Sequence, residues 1–349
     1  MPKIPYNSPV KRTLGIKSGF YAMIRLGNIE LDAPFYQAPL SGYTERPMRI
    51  LARRFGAPLT FTGVLLDKIA LHQKAIRKLM FLPGEDEHPV GAQILGADPA
   101  TMAKAAAVFE RIGFDMIDLN FACPAPKVLR RKRGGYHLKQ PHVVIEIIDR
   151  VRDAVSCPIG MKLRMSFDGD EYSQEDFRHI CEHAHRRGVD MLTIHGRMVT
   201  AKYRGRADWG IVAEIKHAYP EMTVFGSGDL MDAETICRRI ETSGADGVAI
   251  ARGAIGNPWI FAEARALLEG GEKPPAPTLQ EQGSVMLEHF EMIRLHRPER
   301  KAVAFFRKFV AGYCKRHPKR KKAQMEIIAA KTQDRLIEAV RRWYDLGGS

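Results

Sequence analysis

The sequence predicts an α/β fold, a (β/α)8 TIM barrel, followed by a small C-terminal all-helical domain. Eight short apolar or β-branched runs alternate with amphipathic stretches between residues 34 and 261, which is the repeat that eight β/α units produce. A Gly/Pro-rich segment, 271–277, then interrupts the repeat, and only helical periodicity follows it. An open doubly wound sheet is the alternative, but such sheets more often stop at five or six strands.

The eight predicted strands are bounded by glycine, proline or polar residues. They are Pro34–Pro39, Leu59–Leu66, Val90–Leu95, Met116–Cys123, Ile159–Met165, Met191–Arg197, Thr223–Leu230 and Gly247–Ala254. In a closed parallel barrel the carboxyl ends of all strands meet at one face. Polar residues at those ends are therefore the first candidates for a functional site.

The intervening helices are predicted from apolar periodicity and from residues that favour helix ends. Asp98 caps Ala100–Ile112, with a proline in the first turn. Ser173 begins Gln174–Arg187, which ends at Gly188. Two further barrel helices are predicted over His142–Val155 and Asp232–Glu241.

The pattern divides the chain into four parts. Residues 1–24 are a basic N-terminal extension, 25–270 the barrel, 271–277 a linker and 278–349 a helical domain. Within the helical domain, apolar stripes predict three helices, which are Thr278–Arg297, Pro298–Arg316 and Lys319–Leu346.

The charge is strongly positive and unevenly distributed. Residues 278–349 hold 16 Lys and Arg against 8 Asp and Glu, which accounts for +8 of the net charge of +14. Such an excess indicates a polyanionic partner, most simply nucleic acid, with solubility as the alternative. The two densest runs are expected to contact the backbone of that polyanion. They are Arg130, Arg131, Lys132 and Arg133 in the barrel, and Lys319, Arg320, Lys321 and Lys322 in the helical domain.

Other features argue against several classes of protein. The five cysteines are scattered without a CxxC pair, which argues against a zinc site or a disulfide framework and favours a reducing cytosol. No run reaches the ~18 apolar residues of a membrane span, and the N-terminus lacks the apolar core of a secretory signal. We therefore expect a cytoplasmic monomer without a metal or a membrane partner.

Polar residues gather at the carboxyl ends of the last six predicted strands. They are Gln93, Asn120, Cys123, Lys162, Arg164, His195, Arg197, Ser227, Asp229 and Arg252. Barrel enzymes build their active sites at this face, so the ring predicts an active site. Glycine-containing turns, Phe225–Asp229 and Ala251–Ala254, follow strands seven and eight, the usual position of a phosphate site. Their backbone N–H groups and the Arg252 guanidinium suit a phosphate.

Three of these residues admit more than one interpretation. Lys162 lies in an apolar strand and needs an anionic partner. The N1–C2=O edge of a flavin would supply one, and a salt bridge with Asp118 or Asp229 is the alternative. His195 fits a core residue, a phosphate ligand or a base equally well. A lone cysteine such as Cys123 is usually a small buried hydrophobe.

The surroundings of Cys123 nevertheless favour a thiol placed for chemistry. Asn120 precedes it, and Pro124, Pro126 and Lys127 follow it, whereas few core strands end in so many polar and rigid residues. A thiol with the ordinary cysteine pKa of about 8.5 is protonated at pH 7 and can act as an acid.

Six short motifs resemble the tRNA-dihydrouridine synthase family, in order and at family spacing from about Leu26 to Phe261. They are Ala38–Pro47 (APLSGYTERP), Gly91–Gln93 (GAQ), Asn120–Pro124 (NFACP) with Lys127-Val128, Met161–Arg164 (MKLR), Thr193–Arg197 (TIHGR) and Ile250–Ala254 (IARGA). The resemblance implies an FMN-dependent reductase that saturates the C5=C6 bond of a uridine in tRNA, with NADPH reloading the flavin. A helical C-terminal domain also fits this family.

The resemblance implies roles for individual residues. The flavin N5 delivers hydride to C6 of a uracil flipped into the barrel mouth, while Cys123 gives a proton to C5 and Asn120 holds the uracil edge. RNA contacts are also expected from Lys127, Arg197 and Tyr203. The expected cofactor contacts are Pro39, Leu40, Ser41, Gln93, Lys162, His195, Ser227, Gly228, Asp229, Ala251 and Arg252.

Three positions depart from the family pattern. Ser227 replaces a usual Asn and predicts weaker contact with the flavin phosphate or ribityl chain. The segment Gly134–Leu138, preceded by the four basic residues, leaves open which RNA and which uridine are used. Leu40 replaces a usual Met, a volume-conserving change.

Three other functions stay open from the sequence. They are the same reaction on ribosomal RNA, a flavin-free RNA-binding protein on the same fold, and an FMN barrel that reduces a small pyrimidine or enone. The last has no use for the basic helical domain.

Overall fold

The computed structural model describes residues 22–72, 76 and 82–347, and this part contains eleven strands. They are β1 (Ile24–Leu26), β2 (Ile29–Leu31), β3 (Phe35–Gln37), β4 (Thr60–Phe61), β5 (Leu65–Leu66), β6 (Val90–Leu95), β7 (Met116–Phe121), β8 (Ile159–Arg164), β9 (Met191–His195), β10 (Val224–Ser227) and β11 (Gly247–Ile250).

Eight of these strands close into a parallel barrel. β3 pairs with β4 on one side and with β11 on the other, and β4 pairs in turn with β6, so the ring is complete. The predicted TIM barrel is confirmed. The prediction of one continuous second strand over Leu59–Leu66 was wrong. Thr60–Phe61 belongs to the ring, whereas β5 pairs with the end of β6 beside the ring.

An aromatic layer fills the amino-terminal half of the barrel interior. The Tyr36 ring meets Phe61 and Phe225 edge to face, with centroids 5.2 Å apart in both pairs. The Tyr36 hydroxyl hydrogen-bonds Thr193 Oγ1 at 2.8 Å. This layer forms an apolar base beneath the polar residues of the opposite face.

The antiparallel hairpin β1–β2 closes the amino-terminal end of the barrel. It buries Leu26, Ile29 and Leu31 in the same cluster as Met116 and Met191. Because these two methionines are the first residues of β7 and β9, the hairpin covers the end where the strands begin. Strand periodicity at 24–31 was missed because each strand has three residues. The predicted extension, 1–24, lies outside the described residues except for 22–24.

Thirteen α-helices occur in the described part of the chain, and none is long and apolar enough to cross a membrane. They are α1 (Arg46–Arg54), α2 (Asp67–Ala70), α3 (Pro99–Ile112), α4 (Pro126–Leu129), α5 (Pro141–Ala154), α6 (Glu171–Arg186), α7 (Gly210–Ala218), α8 (Ala233–Thr242), α9 (Trp259–Leu268), α10 (Leu279–Arg294), α11 (Glu299–Tyr313), α12 (Arg320–Ala329) and α13 (Gln333–Trp343).

Local capping explains where α3 and α6 begin. The Asp98 carboxylate accepts from the Thr101 N–H at 2.8 Å, so the predicted cap of α3 is confirmed. The prediction that Ser173 begins α6 was wrong, because Asp170 caps the helix three residues earlier. The Ser173 hydroxyl instead accepts from the Phe167 N–H at 2.8 Å and ties the preceding loop to the helix.

The helical domain contains four α-helices within its described residues, α10 to α13. The prediction of a single helix over Lys319–Leu346 was wrong, because Ala330 is extended and Thr332 caps α13 through the Arg335 N–H. Residues 271–277, the predicted linker, have no regular secondary structure.

The helical domain packs on the barrel through a close backbone contact. Gly312 of α11 lies against Ile255 and Gly256 after β11, and a Cβ at Gly312 would overlap the Ile255 carbonyl oxygen. The rings of Trp259 and Tyr313 meet edge to face across the same contact, 6.1 Å apart.

Ion pairs also join the helical domain to the barrel at the edge of this contact. Arg297 donates to both oxygens of Glu45 at 2.7 and 2.6 Å. Arg316 lies 2.7 Å from Glu263 and 3.0 Å from the Asn257 side-chain oxygen. These contacts fix the position of the helical domain relative to the carboxyl-terminal face of the barrel.

Gly312→Ala is expected to destabilise the protein by about 2 kcal/mol. The clash with fixed backbone costs up to about 3 kcal/mol, whereas alanine adds only about 1 kcal/mol of helix propensity. Urea unfolding measures the difference. Ala311→Gly, at the exposed neighbouring position, is the control for propensity alone. A Gly312→Ala protein as stable as the parent would show that the contact adjusts freely.

Candidate active site

A cleft opens at the carboxyl-terminal face of the barrel. It is where most of the polar residues predicted from the strand ends come together. The predicted residues that line it are Pro39, Leu40, Ser41, Gln93, Asn120, Cys123, Lys162, Arg164, His195, Tyr203, Ser227, Gly228, Asp229, Ala251 and Arg252. Further lining comes from residues that were not predicted to contact a cofactor or a substrate, namely Ala38, Val64, Ala122, Pro124, Leu230, Met231 and Ala249.

Lys162 contributes a buried ammonium to the cleft. Its Nζ is shielded from solvent and has no hydrogen-bond partner among the described residues. Burial lowers the pKa of Lys162, and the negative charge of Asp118 opposes that shift. The predicted alternative, a salt bridge with Asp118 or Asp229, does not form within the described part. Asp118 acts on Lys162 through its charge, and Asp229 is held by Arg197.

Cys123 lies half-buried in the cleft, and backbone hydrogen bonds hold its loop. The Asn120 side-chain oxygen accepts from the N–H groups of Ala122 and Cys123 at 3.1 and 3.0 Å. The Cys123 carbonyl accepts from the Gly135 N–H at 3.0 Å. The thiol is therefore held at the mouth of β7, beside the polar ring.

The glycine pair after the basic run is required by close packing against this loop. Gly134 has φ +58°, and a Cβ there would lie 3.0 Å from the Cys123 Cβ and 3.1 Å from its carbonyl oxygen. A Cβ at Gly135 would lie 2.8 Å from Val199. The segment that departs from the family pattern thus backs directly onto the cysteine.

Arg164 joins the cysteine loop to the loop after β9. Its Nε donates to the Ala122 carbonyl at 2.8 Å, and its Nη1 donates to the carbonyls of Met198 and Lys202 at 3.0 and 2.7 Å. Tyr203 follows, with its side chain 57% exposed at the cleft. The Arg252 guanidinium lies 4.8 Å from the Tyr203 ring centroid and that of Arg164 lies 5.6 Å away.

The predicted phosphate turns form a tight loop at the other end of the cleft. Gly228 has φ +136°, and a Cβ there would overlap that of Ala207. Asp229 accepts from Arg197 Nη2 at 2.7 Å and from the Ala207 N–H at 2.9 Å. Although burial opposes ionisation, these hydrogen bonds lower the pKa of Asp229. Arg197, predicted to contact RNA, is buried in this ion pair and does not line the cleft.

His195 is neutral in this setting. Burial, and to a lesser extent the positive charges of Lys162, Arg164, Arg197 and Arg252, together lower its pKa to about 2. Its Nε2 lies 3.4 Å from Arg197 Nη1, a donor, so the proton belongs on Nδ1, which lies 3.4 Å from Ser227 Oγ. His195 therefore supplies a hydrogen-bond donor without adding charge.

The two predicted basic runs lie mostly at the surface. Lys127, Arg130, Arg131 and Lys132 are exposed beside the cysteine loop, and Lys319, Arg320, Lys321 and Lys322 are exposed where α12 begins. Arg133 differs, because its side chain is 12% exposed and its guanidinium lies 3.9 Å from Asp67.

Sequence reasoning missed the positions of two polar residues. Asp118 was considered only as a partner for Lys162, yet it accepts a hydrogen bond from Gln93 Nε2 at 2.5 Å. Arg164 was predicted only as a polar residue at a strand end. Its hydrogen bonds to the cysteine loop and to the loop after β9 were not predicted. For Asp118, the signal available was its position two residues before Asn120, on the same face of a strand. No group of three or more metal-ligating side chains occurs among the residues described.

Related sequences cover both domains. The family model described as Dihydrouridine synthase (Dus) matches residues 36–343. A tRNA-dihydrouridine synthase B of Pseudomonas aeruginosa is 32% identical over 323 residues, which cover 93% of this chain and 96% of that protein. A probable tRNA-dihydrouridine synthase of Rickettsia bellii is 33% identical over 293 residues, which cover 83% of this chain and 88% of that protein.

Solved structures match over about three quarters of this chain. Morphinone reductase in complex with tetrahydroNAD matches with a TM-score of 0.52 and 16% identity, covering 74% of this chain and 93% of that one. The 6-hydroxypseudooxynicotine amine oxidase of Pseudomonas geniculata matches with a TM-score of 0.57 and 14% identity, covering 77% and 52%. At this identity the likeness shows the fold alone.

Gly134→Ala is expected to destabilise the protein by about 1 to 2 kcal/mol more than Gly188→Ala. Both positions have φ near +60°, but no atom lies within 4 Å of a Cβ at Gly188. The second variant therefore carries the backbone strain alone, and the difference measures the contact with the cysteine loop. Urea unfolding of both variants measures it, and equal losses would contradict the close packing.

Proposed function

This chain belongs to the dihydrouridine synthase family, and from that membership we propose that it reduces a uridine of tRNA to 5,6-dihydrouridine, with FMN bound in the cleft and NADPH as electron donor. The observation that carries the proposal is one cleft that holds both the Cys123 thiol and the unpartnered ammonium of Lys162. A proton donor and a buried cation in one pocket suit a substrate and a redox group held side by side.

The cleft residues fit a flavin mononucleotide. Lys162 Nζ lacks a hydrogen-bond partner in the described part, and the N1–C2=O edge of FMN would satisfy it. At the opposite end, the Gly228 turn and the partly exposed Arg252 suit a phosphate, since Arg252 lies 3.8 Å from Asp229 and keeps donors free for a ligand. When bound, FMN supplies hydride to C6 of the uracil and is reduced again by NADPH.

The protein itself contributes a proton donor and the groups that hold the uracil in place. Cys123 holds the proton for C5 of the uracil at Sγ, and its loop is fixed by Asn120 and Arg164. The remaining N–H of the Asn120 amide is available for a uracil carbonyl. The exposed ring of Tyr203, flanked by Arg252, suits stacking against a flipped base. Burying the base in the cleft excludes water from the acid.

The exposed basic runs extend the site along the RNA. Lys127 and Arg130 to Lys132 lie beside the thiol, and Lys319 to Lys322 lie on the helical domain. Contacts of lysine and arginine with phosphates are independent of base identity, so these runs supply affinity and orientation. Arg197 supports this side indirectly through its ion pair with Asp229.

Mapping of dihydrouridine in tRNA and ribosomal RNA tests the proposal. Cells without this gene are expected to lose the modification at one or a few tRNA positions, and the wild-type gene to restore it. Loss confined to ribosomal RNA would assign the same chemistry to that substrate, and unchanged maps would overturn the proposal.

Cys123→Ala is expected to lower uridine reduction by about 10²-fold or more, because general acids typically contribute that much. FMN content and tRNA affinity should stay within about twofold of the parent, since in the described part of the chain the loop is held by the Cys123 backbone and not by its thiol. Single-turnover reduction of tRNA measures the loss, and Cys157→Ala, a half-buried thiol outside the cleft, is the control. Unchanged turnover would remove Cys123 as the acid.

Lys162→Met is expected to weaken FMN binding by about tenfold or more, because a charge-assisted hydrogen bond contributes about 1.5–3 kcal/mol. Flavin absorbance per protein after dialysis against a fixed FMN concentration measures it. Lys104→Met, on the exposed face of α3, is the matched control. Full FMN occupancy in the Lys162 variant would contradict the fit.

Replacing Lys319, Arg320, Lys321 and Lys322 with glutamine is expected to flatten the salt dependence of tRNA binding. If all four contact phosphates, the slope of log K against log salt should fall in magnitude by about 3. Neutralising four exposed residues on the outer helices, Lys104, Arg111, Arg150 and Arg186, is the control. An unaltered slope in the first variant would remove that run from the interface.

A further inference from the structure

An unbroken chain of hydrogen bonds runs from a buried carboxylate to the cysteine loop. Asp118 Oδ2 accepts from Gln93 Nε2 at 2.5 Å, and Gln93 Oε1 accepts from Asn120 Nδ2 at 2.7 Å. Asn120 Oδ1 then accepts from the Cys123 N–H at 3.0 Å. The three side chains are almost completely shielded from solvent, so water does not compete for these bonds.

The groups at the two ends of this chain set its direction. Burial raises the pKa of Asp118 to about 6, so the group is a carboxylate at pH 7. A carboxylate only accepts hydrogen bonds and a backbone N–H only donates, whereas each amide can present either its oxygen or its nitrogen. Asp118 therefore requires the Gln93 nitrogen to face it, which turns the Gln93 oxygen toward Asn120. The Asn120 nitrogen must then face Gln93, which leaves its oxygen for the Cys123 N–H.

Reversing either amide would set two donors against each other in a buried site. A flipped Gln93 would face Asn120 with its nitrogen, and a flipped Asn120 would leave the Cys123 N–H without its acceptor. Each buried, unsatisfied polar group costs about 1–3 kcal/mol. The carboxylate at one end and the backbone N–H groups at the other therefore require the same orientation of both amides, and the chain connects Asp118 to the backbone of the cysteine.

The surroundings of Asp118 are shaped for this use. Gly160 faces Asp118 on the neighbouring strand, and a Cβ at this position would lie 2.7 Å from Asp118 Oδ1. Glycine therefore leaves room for the carboxylate. Lys162 provides the nearby positive charge, without a hydrogen bond to it in the described part. The carboxylate is thus free to direct its hydrogen bonding toward Gln93.

We propose that Asp118 is a positioning residue, which fixes the Gln93 and Asn120 amides and thereby the place of Cys123 in the cleft. The inference rests on the proposed function for the role of Cys123 as the acid. The positioning itself concerns only the resting protein. Asp118 touches neither substrate nor the reacting atoms, so its effect passes through the two amides.

Two variants break the chain and one keeps it. Asp118→Leu removes the acceptor while retaining the branched shape of the side chain, and Gln93→Met breaks the next link with Asp118 in place. Asp118→Asn removes the charge but retains an oxygen that can accept from Gln93. Gln93→Met keeps the test decisive if Asp118→Leu folds poorly.

The quantity measured is the rate at which iodoacetamide alkylates Cys123 in the full-length protein, with and without saturating FMN. Mass spectrometry of the peptide that contains Cys123 gives this rate. We expect Asp118→Leu and Gln93→Met to raise this rate about fivefold or more by freeing the loop. Asp118→Asn should stay within about twofold of the parent. Cys157 and the three buried cysteines, in the same protein, are the internal reference.

Three results would overturn the inference. Cys123 could react at the parental rate in both chain-breaking variants, Asp118→Asn could react as fast as Asp118→Leu, or all five cysteines could accelerate together. The last result indicates general loosening of the fold, which positioning does not predict.

Turnover separates this inference from the proposed function. In Asp118→Leu, kcat for uridine reduction should fall about tenfold or more while KM for tRNA changes less than about twofold, because misplaced groups lower kcat. If the parent protein reduces no uridine, the proposed function fails while the alkylation rates still test the positioning. If the parent is active and alkylation is unchanged, only the positioning fails.

Discussion

The unpartnered ammonium of Lys162 is the constraint on which the cleft depends. An apolar side chain of similar length at this position would avoid the cost of desolvating a charge, so the lysine is not explained by stability. The protein supplies one opposing charge, Asp118, and no hydrogen bond within the described part. In the proposed function, the N1–C2=O edge of FMN would supply the hydrogen bonds that this ammonium lacks.

The same constraint explains the balance of charge around His195. Lys162, Arg164, Arg197 and Arg252 all act on this imidazole, and together with burial they keep it neutral. Adding a further positive charge would increase repulsion in a buried ring. In the proposed function, the neutral His195 beside Ser227 would donate a hydrogen bond to an anionic ligand. The negative charge of Asp229 offsets the positive charge of Arg197.

Sequence patterns were sufficient for the barrel because its rules are local and repeated. Strand runs, capping residues such as Asp98 and polar residues at strand ends each depend on near neighbours, and the parallel topology then brings distant ends such as Gln93 and Arg252 into one cleft. The three-residue strands of the β1–β2 hairpin fell below the length at which periodicity is informative. The break before Thr332 was missed although five consecutive polar residues, 331–335, interrupt the apolar residues there and threonine favours a helix N-cap.

The site was predicted less completely than the fold, for a physical reason. Sequence indicates which residue types lie at a strand end, but not which of them bond to each other. Arg197 is buried in an ion pair with Asp229, and Arg133 lies near Asp67, although the residue type of each arginine suits RNA equally well. Partner choice depends on side-chain direction and on the distance between strands. These follow from tertiary packing, and single-residue patterns carry no signal for them.

The rigid docking of the helical domain ties these local contacts to substrate choice in the proposed function. A basic run on a freely moving domain would add affinity for RNA but would not select among uridines. Here the backbones meet at Gly312 and Ile255, and Arg297 and Arg316 fix the rim. The separation between the Cys123 thiol and the start of α12 is thereby constant. An RNA that engages both must present its uridine at one distance from the phosphates held by the helical domain. Shape then decides which uridine enters the cleft, as is usual where proteins recognise folded RNA.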